Sequence, residues 1–256
     1  MCIRDRNRSE RLPDRTGSDG IGESEAGGAP LEEGVPGSMK QSSMPKIKVC
    51  GLTRPEEAGM LARNRIEYAG MVLFYPKSKR NITAKRAAEI LMVLPEEIHP
   101  VAVTVSPTPE QAEILQELGF HYLQVHGELR KDTIDVCRIP ILRAYNITKA
   151  PVSAEEHEAI AGYVLDGAIP GSGKPFDWEL NQKLPFDRTG RLFLLAGGLN
   201  EDNVAEGIHC FHPDIVDISS GVEGDSGKDE EKIRRFVEAV RQTATNRNTN
   251  NENIEK

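Results

Sequence analysis

Between Lys46 and Gln242 short apolar runs alternate with amphipathic stretches eight times, and few architectures accept that pattern. Lys46–Cys50 comes first, with Ile47 and Val49 alternating with polar residues at the two-residue period of a strand. Further strands are expected at Tyr68–Phe74, Pro100–Val105, Tyr122–Val125, Pro140–Tyr145, Tyr163–Leu165, Arg191–Leu195 and Ile215–Ile218. Helices fill the intervals. One opens at Pro55 with Glu56 and Glu57 in its first turn, as the helix dipole prefers, and one is capped by Thr83 with a stripe of Ala87, Ile90, Leu91 and Leu94. Others run over Pro109–Leu118, to about Cys137, from Ser153, from about Asp177, from a cap at Asn200, and from Asp229 to Gln242.

Eight strand–helix units in roughly 200 residues match the lower size limit of a (β/α)8 barrel, the TIM-barrel class of α/β fold. A doubly wound open sheet is the alternative. It has fewer strands and a glycine fingerprint early in the chain, and no G-x-G-x-x-G follows the first strand here.

The ends of the chain read differently. Residues 1–44 are crowded with Gly, Ser, Pro, Arg and Glu and carry no periodic apolar pattern, so a disordered leader is expected. Met39 and Met44 stand just before the first strand, and the native start is expected at one of them, which makes the leader an extension. Residues 45–243 form the single barrel domain, and the polar, Asn-rich 244–256 a disordered tail.

Charge and cysteine content exclude several function classes. A net charge of -8 argues against a nucleic-acid binder or a binder of anionic membranes. No run reaches the length of a membrane span, and the first residues lack the apolar core of a signal peptide. Cys2, Cys50, Cys137 and Cys210 are widely spaced, with no C-x-x-C pair, so neither a disulfide framework nor a zinc ribbon is indicated. A reducing, cytoplasmic compartment is expected. His209, Cys210 and His212 are candidate metal ligands by type, but they fall at a helix end away from the expected site with no fourth partner evident, and no metal is expected.

In a barrel every remaining candidate falls on one rim, at the C-terminal ends of strands, where this fold carries its chemistry. These are Cys50, Arg80 in Y-P-K-S-K-R, His126, Asp166, Gly197-Gly198 and Ser219-Ser220-Gly221. A cysteine at a strand end reads equally as an inert core residue, and its company on the rim favours a reactive thiol. Arg80 suits bidentate capture of a carboxylate or phosphate, or is a solvated loop charge. His126 touches a substrate or fills the rim. A-G-G-L-N and S-S-G-V-E close the seventh and eighth strands, the usual phosphate site of the fold, where glycines let backbone N–H groups approach an anion. Gly171-Ser172-Gly173-Lys174 is not a P-loop, because Ala168 and Pro175 stand where that motif needs Gly and Ser or Thr. A lid, a substrate-contacting loop or a plain connection fits it.

The strings K-V-C-G-L-T, F-Y-P-K-S-K-R-N-I-T, Q-V-H-G, V-L-D, G-S-G-K-P-F-D-W, L-A-G-G-L-N and D-I-S-S-G-V-E, in that order, closely resemble the phosphoribosylanthranilate isomerase family of tryptophan biosynthesis. The resemblance spans about Lys46 to Gln242. It implies an Amadori rearrangement of a small phosphosugar–anthranilate substrate, without metal or organic cofactor, in a monomer or homodimer. It also implies Cys50 as general base, Asp166 as general acid and Arg80 as the holder of the anthranilate carboxylate. His126, Gly171, Ser172 and Gly173 are then expected at the substrate, and Gly197, Gly198, Ser219, Ser220 and Gly221 at its phosphate. The chain differs from the family pattern at Val103–Ser106, V-T-V-S for the usual V-F-V-N, and in the G-A-I-P that follows Asp166. A histidine-pathway sugar isomerase would carry an aspartate where this first strand ends in Cys50. A silent sugar-binding barrel would need neither Cys50 nor Asp166.

Overall fold

Apolar runs bounded by turn residues become strands here, and where the linking residues are described a helix lies between successive parallel neighbours. The computed structural model describes residues 44–146, 157–167 and 187–252, with side chains described as far as Thr243. Its barrel strands are β1 (Lys46–Cys50), β2 (Tyr68–Leu73), β4 (His99–Val105), β5 (Tyr122–His126), β6 (Ile141–Asn146), β7 (Ile160–Asp166), β8 (Leu192–Leu195) and β9 (Ile215–Ile218). All pair in parallel in that order, and β1 pairs with both β2 and β9, so the sheet closes into the expected eight-stranded barrel. Closure removes both sheet edges and leaves an inside and an outside to every strand.

Two core layers follow from that alternation. Tyr68, Val72, Val101, Val103, Leu142 and Leu194 fill the barrel interior. Ile47, Val49, Met71, Leu123, Phe193 and Val216 face outward and pack beneath the helices. Each such side chain contributes roughly 1.5–3 kcal/mol by leaving water. The described helices are α1 (Glu56–Arg63), α2 (Ala84–Val93), α3 (Pro109–Glu117), α4 (Lys131–Val136), α5 (Val204–Phe211) and α6 (Glu230–Glu252). Thr83 caps α2 as expected, its hydroxyl accepting the Arg86 amide at 3.1 Å. Thr108 and Gln111 form a reciprocal capping box on α3, a type of contact typically worth about 1 kcal/mol.

Three details depart from the sequence reading. The helix after A-G-G begins at Val204, not directly after Asn200. Asn200 Oδ1 accepts the amides of Asp202 and Asn203 at 2.9 and 3.1 Å, and this side-chain-closed turn occupies the chain before the helix starts. Two short pairings are also present: β3 (Asn81–Ile82) extends the sheet beside β2, and β10 (Glu223–Gly224) pairs antiparallel with β11 (Gly227–Lys228). Finally, α6 continues to Glu252 where a tail from 244 was expected, since the stretch holds no Gly or Pro to stop propagation. The expected leader 1–44 lies almost wholly outside the described residues, as do the starts at Ser153 and Asp177 of two expected helices.

Candidate active site

β1 carries its thiol to the C-terminal mouth because Lys48 and Cys50 occupy the inward positions while Val49, between them, packs outward. Cys50 is paired in register with Gly70 of β2. A Cβ at Gly70 would stand 2.8 Å from Cys50 Sγ and 3.0 Å from its Cα, so the absence of a side chain there makes room for the thiol. Ser219, just past β9, donates its hydroxyl to the Cys50 carbonyl at 2.9 Å and ties the two strand ends together.

The same alternation turns His126, Asn146 and Asp166 inward at the ends of β5, β6 and β7. Asp166 Oδ1 accepts the Gly167 amide at 2.8 Å. Burial, reinforced by the Asp217 carboxylate, nevertheless pushes the Asp166 carboxyl up to about 6. Burial also pushes the Cys50 thiol up, opposed by the Lys48 and Lys228 ammonium groups. For His126 burial acts first, and the cations Lys48 and Arg143 add to it, so that its pKa falls to about 4 and the ring is neutral at pH 7. Its Nε2 lies 2.9 Å from Gln124 Nε2, an inward neighbour on the same strand.

Arg80 reaches the mouth from the turn between β2 and β3. Gly51 holds a φ of +83°, and a Cβ there would collide with the Arg80 side chain, which crosses directly above it. Arg80 Nε donates to Glu223 Oε1, while Lys79 reaches Glu223 Oε2 at 2.7 Å and Lys228 lies 3.4 Å from Oε1. Burial alone would raise Glu223, but the Arg80 and Lys79 hydrogen bonds, with the Lys228 and Arg80 charges, outweigh it and hold the carboxyl at about 2. Arg80 Nη2 is buried and has no partner among the described residues. A guanidinium pinned at Nε with a free, desolvated N–H edge is a receptor for a carboxylate or phosphate.

The glycine turns pack against the acid and against each other. Gly197 (φ +86°) and Gly198 (φ +73°) are both left-handed. A Cβ on Gly197 would lie 2.6 Å from Gly167 Cα and 3.0 Å from Asp166 Oδ1, and one on Gly221 would lie 2.5 Å from the Leu199 carbonyl. Ser220–Val222 forms a 3-10 turn beside them. The ends of β7, β8 and β9 are thereby assembled into one backbone-lined corner. Gly197→Ala should lower the urea midpoint, because a non-glycine residue in this conformation costs about 1–2 kcal/mol before any collision is counted. It should lower kcat as well, by moving Gly167 and with it Asp166. An unchanged urea midpoint and unchanged turnover would show that the corner yields without cost.

Sequence reasoning passed over several residues of this mouth: Lys48, Asp217, Gln124, Asn146, Glu223 and Lys228. Lys48 Nζ is 2.6 Å from Asp217 Oδ2, with the two side chains 0% and 5% exposed. Their signal was present as charges inside apolar strands, two residues before Cys50 and Ser219. Gly171, Ser172 and Gly173 lie outside the described residues. His209, Cys210 and His212 fall at the end of α5, and among the described residues no group of three or more His, Cys, Asp or Glu is arranged to hold a metal ion.

The family model described as N-(5'phosphoribosyl)anthranilate (PRA) isomerase matches residues 47–239. The N-(5'-phosphoribosyl)anthranilate isomerase of Streptococcus mutans is 38% identical over 200 residues, covering 77% of this chain and 100% of that one. The phosphoribosyl anthranilate isomerase of Thermus thermophilus superposes with a TM-score of 0.67 at 28% identity, over 77% of this chain and 98% of that one. A phosphoribosyl anthranilate isomerase solved in complex with reduced 1-(o-carboxyphenylamino)-1-deoxyribulose 5-phosphate gives 0.64 at 29% identity, over 78% of this chain and 100% of that one.

Proposed function

This chain belongs to the N-(5'-phosphoribosyl)anthranilate isomerase family, and on that premise we propose that Cys50 and Asp166 are the base and acid of its reaction. The reaction is the Amadori rearrangement of N-(5-phosphoribosyl)anthranilate to 1-(2-carboxyphenylamino)-1-deoxyribulose 5-phosphate, a step in tryptophan biosynthesis. Asp166 gives its proton to the ribose ring oxygen. The C1–O bond breaks with its electron pair on oxygen, and the nitrogen lone pair forms a C1=N iminium. That electron sink acidifies the C2 hydrogen, which the Cys50 thiolate removes, and the C2–H electrons become a C1=C2 enolamine. Transfer of the enol proton to C1 leaves the C2 ketone. One proton has moved from Asp166 to the substrate and one from the substrate to Cys50, so the enzyme resets when a proton returns from Cys50 to Asp166.

The observation that carries this reading is the convergence of a thiol and an elevated carboxyl at inward positions of one barrel mouth. Arg80 holds the anthranilate carboxylate, with Nη2 as the donor still open. His126, neutral and bonded to Gln124, offers a hydrogen bond without a competing charge. Gly171, Ser172 and Gly173, which follow β7 in the sequence and lie outside the described residues, are assigned to the substrate. Gly197, Gly198, Ser219, Ser220 and Gly221 take the phosphate in the corner between β8 and β9. No described helix is long and apolar enough to cross a membrane. The cytoplasm is the compartment proposed, since a thiolate base must stay reduced.

Mixing the purified protein with freshly generated phosphoribosylanthranilate and following its fluorescence tests the reading. Rapid decay supports it, and decay no faster than spontaneous breakdown would overturn it. Arg80→Ala should raise KM about 10–100-fold, corresponding to the 1.5–3 kcal/mol typical of charged hydrogen bonds, with a smaller change in kcat. A KM that does not move would remove Arg80 from the carboxylate site.

A further inference from the structure

Beneath the proposed base and acid lies a buried ion pair that the reaction scheme does not use. Lys48 of β1 and Asp217 of β9 are register partners across the closure of the barrel, both facing inward, joined at 2.6 Å and almost fully withdrawn from water. Burial favours a neutral amine at Lys48, but the Asp217 carboxylate and Cys50 together outweigh this and keep the ammonium. The Cys50 thiol stands two residues along the same inward face, and the Lys48 charge favours its thiolate. Asp217 Oδ1 is buried with no partner among the described residues, and the Asp217 charge acts on Asp166 from two strands away. A buried charge lacking full hydrogen-bond satisfaction is a poor device for stability, since an apolar pair of similar volume does as well or better.

Resting on the base and acid assignment above, we propose that Lys48 and Asp217 are positioning residues. Their ion pair places an ammonium on the inward face of β1, two residues from Cys50, and a carboxylate on β9, two strands from Asp166, and so favours the thiolate–carboxylic acid form from which the reaction starts. A cation favours a thiolate, and an anion favours a protonated neighbouring carboxyl. One pair thus serves both catalytic groups in opposite senses, and it does so without touching substrate. The other charged groups around the mouth do not duplicate it. Lys228 of β11 favours the thiolate but is held by the Ser219 carbonyl and Glu223, and Arg80, above Gly51, is bonded to Glu223. On the acid side the charged groups acting on Asp166 are Asp217 and Lys48, with the Gly167 amide opposing Asp217. His126, across the mouth on β5, is neutral at pH 7, and Arg143 of β6 bears on His126.

Two measurements on the full-length protein test the pair. The first is the rate of Cys50 alkylation by iodoacetamide against pH, read by mass spectrometry of the Cys50 peptide, which needs no substrate and no turnover. Lys48→Met should slow alkylation at pH 7 by about tenfold, equivalent to one pH unit in the thiol midpoint, and Asp217→Asn should accelerate it. The second is the pH profile of kcat/KM. Lys48→Met should move the alkaline limb to higher pH, and Asp217→Asn should move the acid limb to lower pH. Lys48→Arg, which keeps the cation, should restore the wild-type alkylation midpoint, and it stands in if Lys48→Met does not fold. Damage to packing alone would shift both substitutions in the same direction, and that outcome, or an unchanged alkylation midpoint in both variants, overturns the proposal. Failure of the base assignment shows separately, as turnover that persists in Cys50→Ala.

Discussion

Cys50→Ala should lower kcat by about 10²–10⁴, the usual contribution of a positioned proton-transfer group, and leave KM within a few-fold. The separation of effects follows from where the thiol stands. Cys50 Sγ lies over Gly70 at the end of β1, where its proposed work is to take the C2 hydrogen, and the binding groups proposed for carboxylate and phosphate sit in the turns that follow other strands. Alanine removes the acceptor and leaves a small gap beside Gly70, with the Ser219 bond to the Cys50 main-chain carbonyl intact. Circular dichroism and the urea midpoint should therefore stay close to wild type. Cys50→Ser keeps shape and polarity but raises the pKa of the proton-accepting atom far beyond the working range, so it should resemble alanine rather than wild type. A serine variant within tenfold of wild-type kcat would sink the assignment of Cys50 as the base.

The second large effect is expected for Asp166→Asn, again about 10²–10⁴ in kcat. The amide is nearly isosteric, and its Oδ1 can still accept the Gly167 N–H, so the loss reports the missing proton rather than a collapsed corner. The wild-type pH profile carries the same information. Well below 6 the Asp166 carboxyl is protonated, and kcat/KM should rise tenfold per pH unit as the thiolate fraction grows. Above that point the protonated carboxyl declines as fast as the thiolate increases, which gives a plateau. Activity falls once the thiol, itself raised by burial, has titrated. Asp166→Asn should erase the bend near 6 while leaving the thiol limb in place. Retention of that bend in the variant would assign it to another group.

The barrel and its working rim can be read from residues alone because both depend on simple periodicities. Continuous or alternating apolar runs fix eight strands, and residues at the ends of parallel strands share one mouth whatever the helices do. Cys50, His126 and Asp166 are therefore foreseeable as a group. The two-residue pairings β3 and β10–β11 are too short to carry any period, so Glu223, which holds Arg80, and Lys228, which bonds Glu223 and the Ser219 carbonyl, give no advance notice. Lys48 is a different case. Its alternation with Ile47 and Val49 reads the same for a strand with one face in water as for one in a closed barrel, and only closure shows that the polar face is the inside. Asp217 is hidden for the same reason, within an otherwise apolar run. Asn200 misleads in a third way: its side chain does bond following amides, but it closes a turn before the helix.

The pairing of β1 with β9 also has a consequence during synthesis. Lys48 and Asp217 are 169 residues apart. At about 5–20 residues per second a ribosome needs on the order of 10–35 s to deliver one after the other. Until then a β1 paired with β2 alone would keep an open hydrogen-bonding edge on its other side. A strand in that state is a template for stray chains, and an unpaired charge along it is one of the common deterrents. Lys48 supplies such a charge for as long as its partner has not yet been made. When Asp217 arrives the ammonium is neutralised and buried, so the residue that guards the nascent edge also marks the one strand entitled to close it.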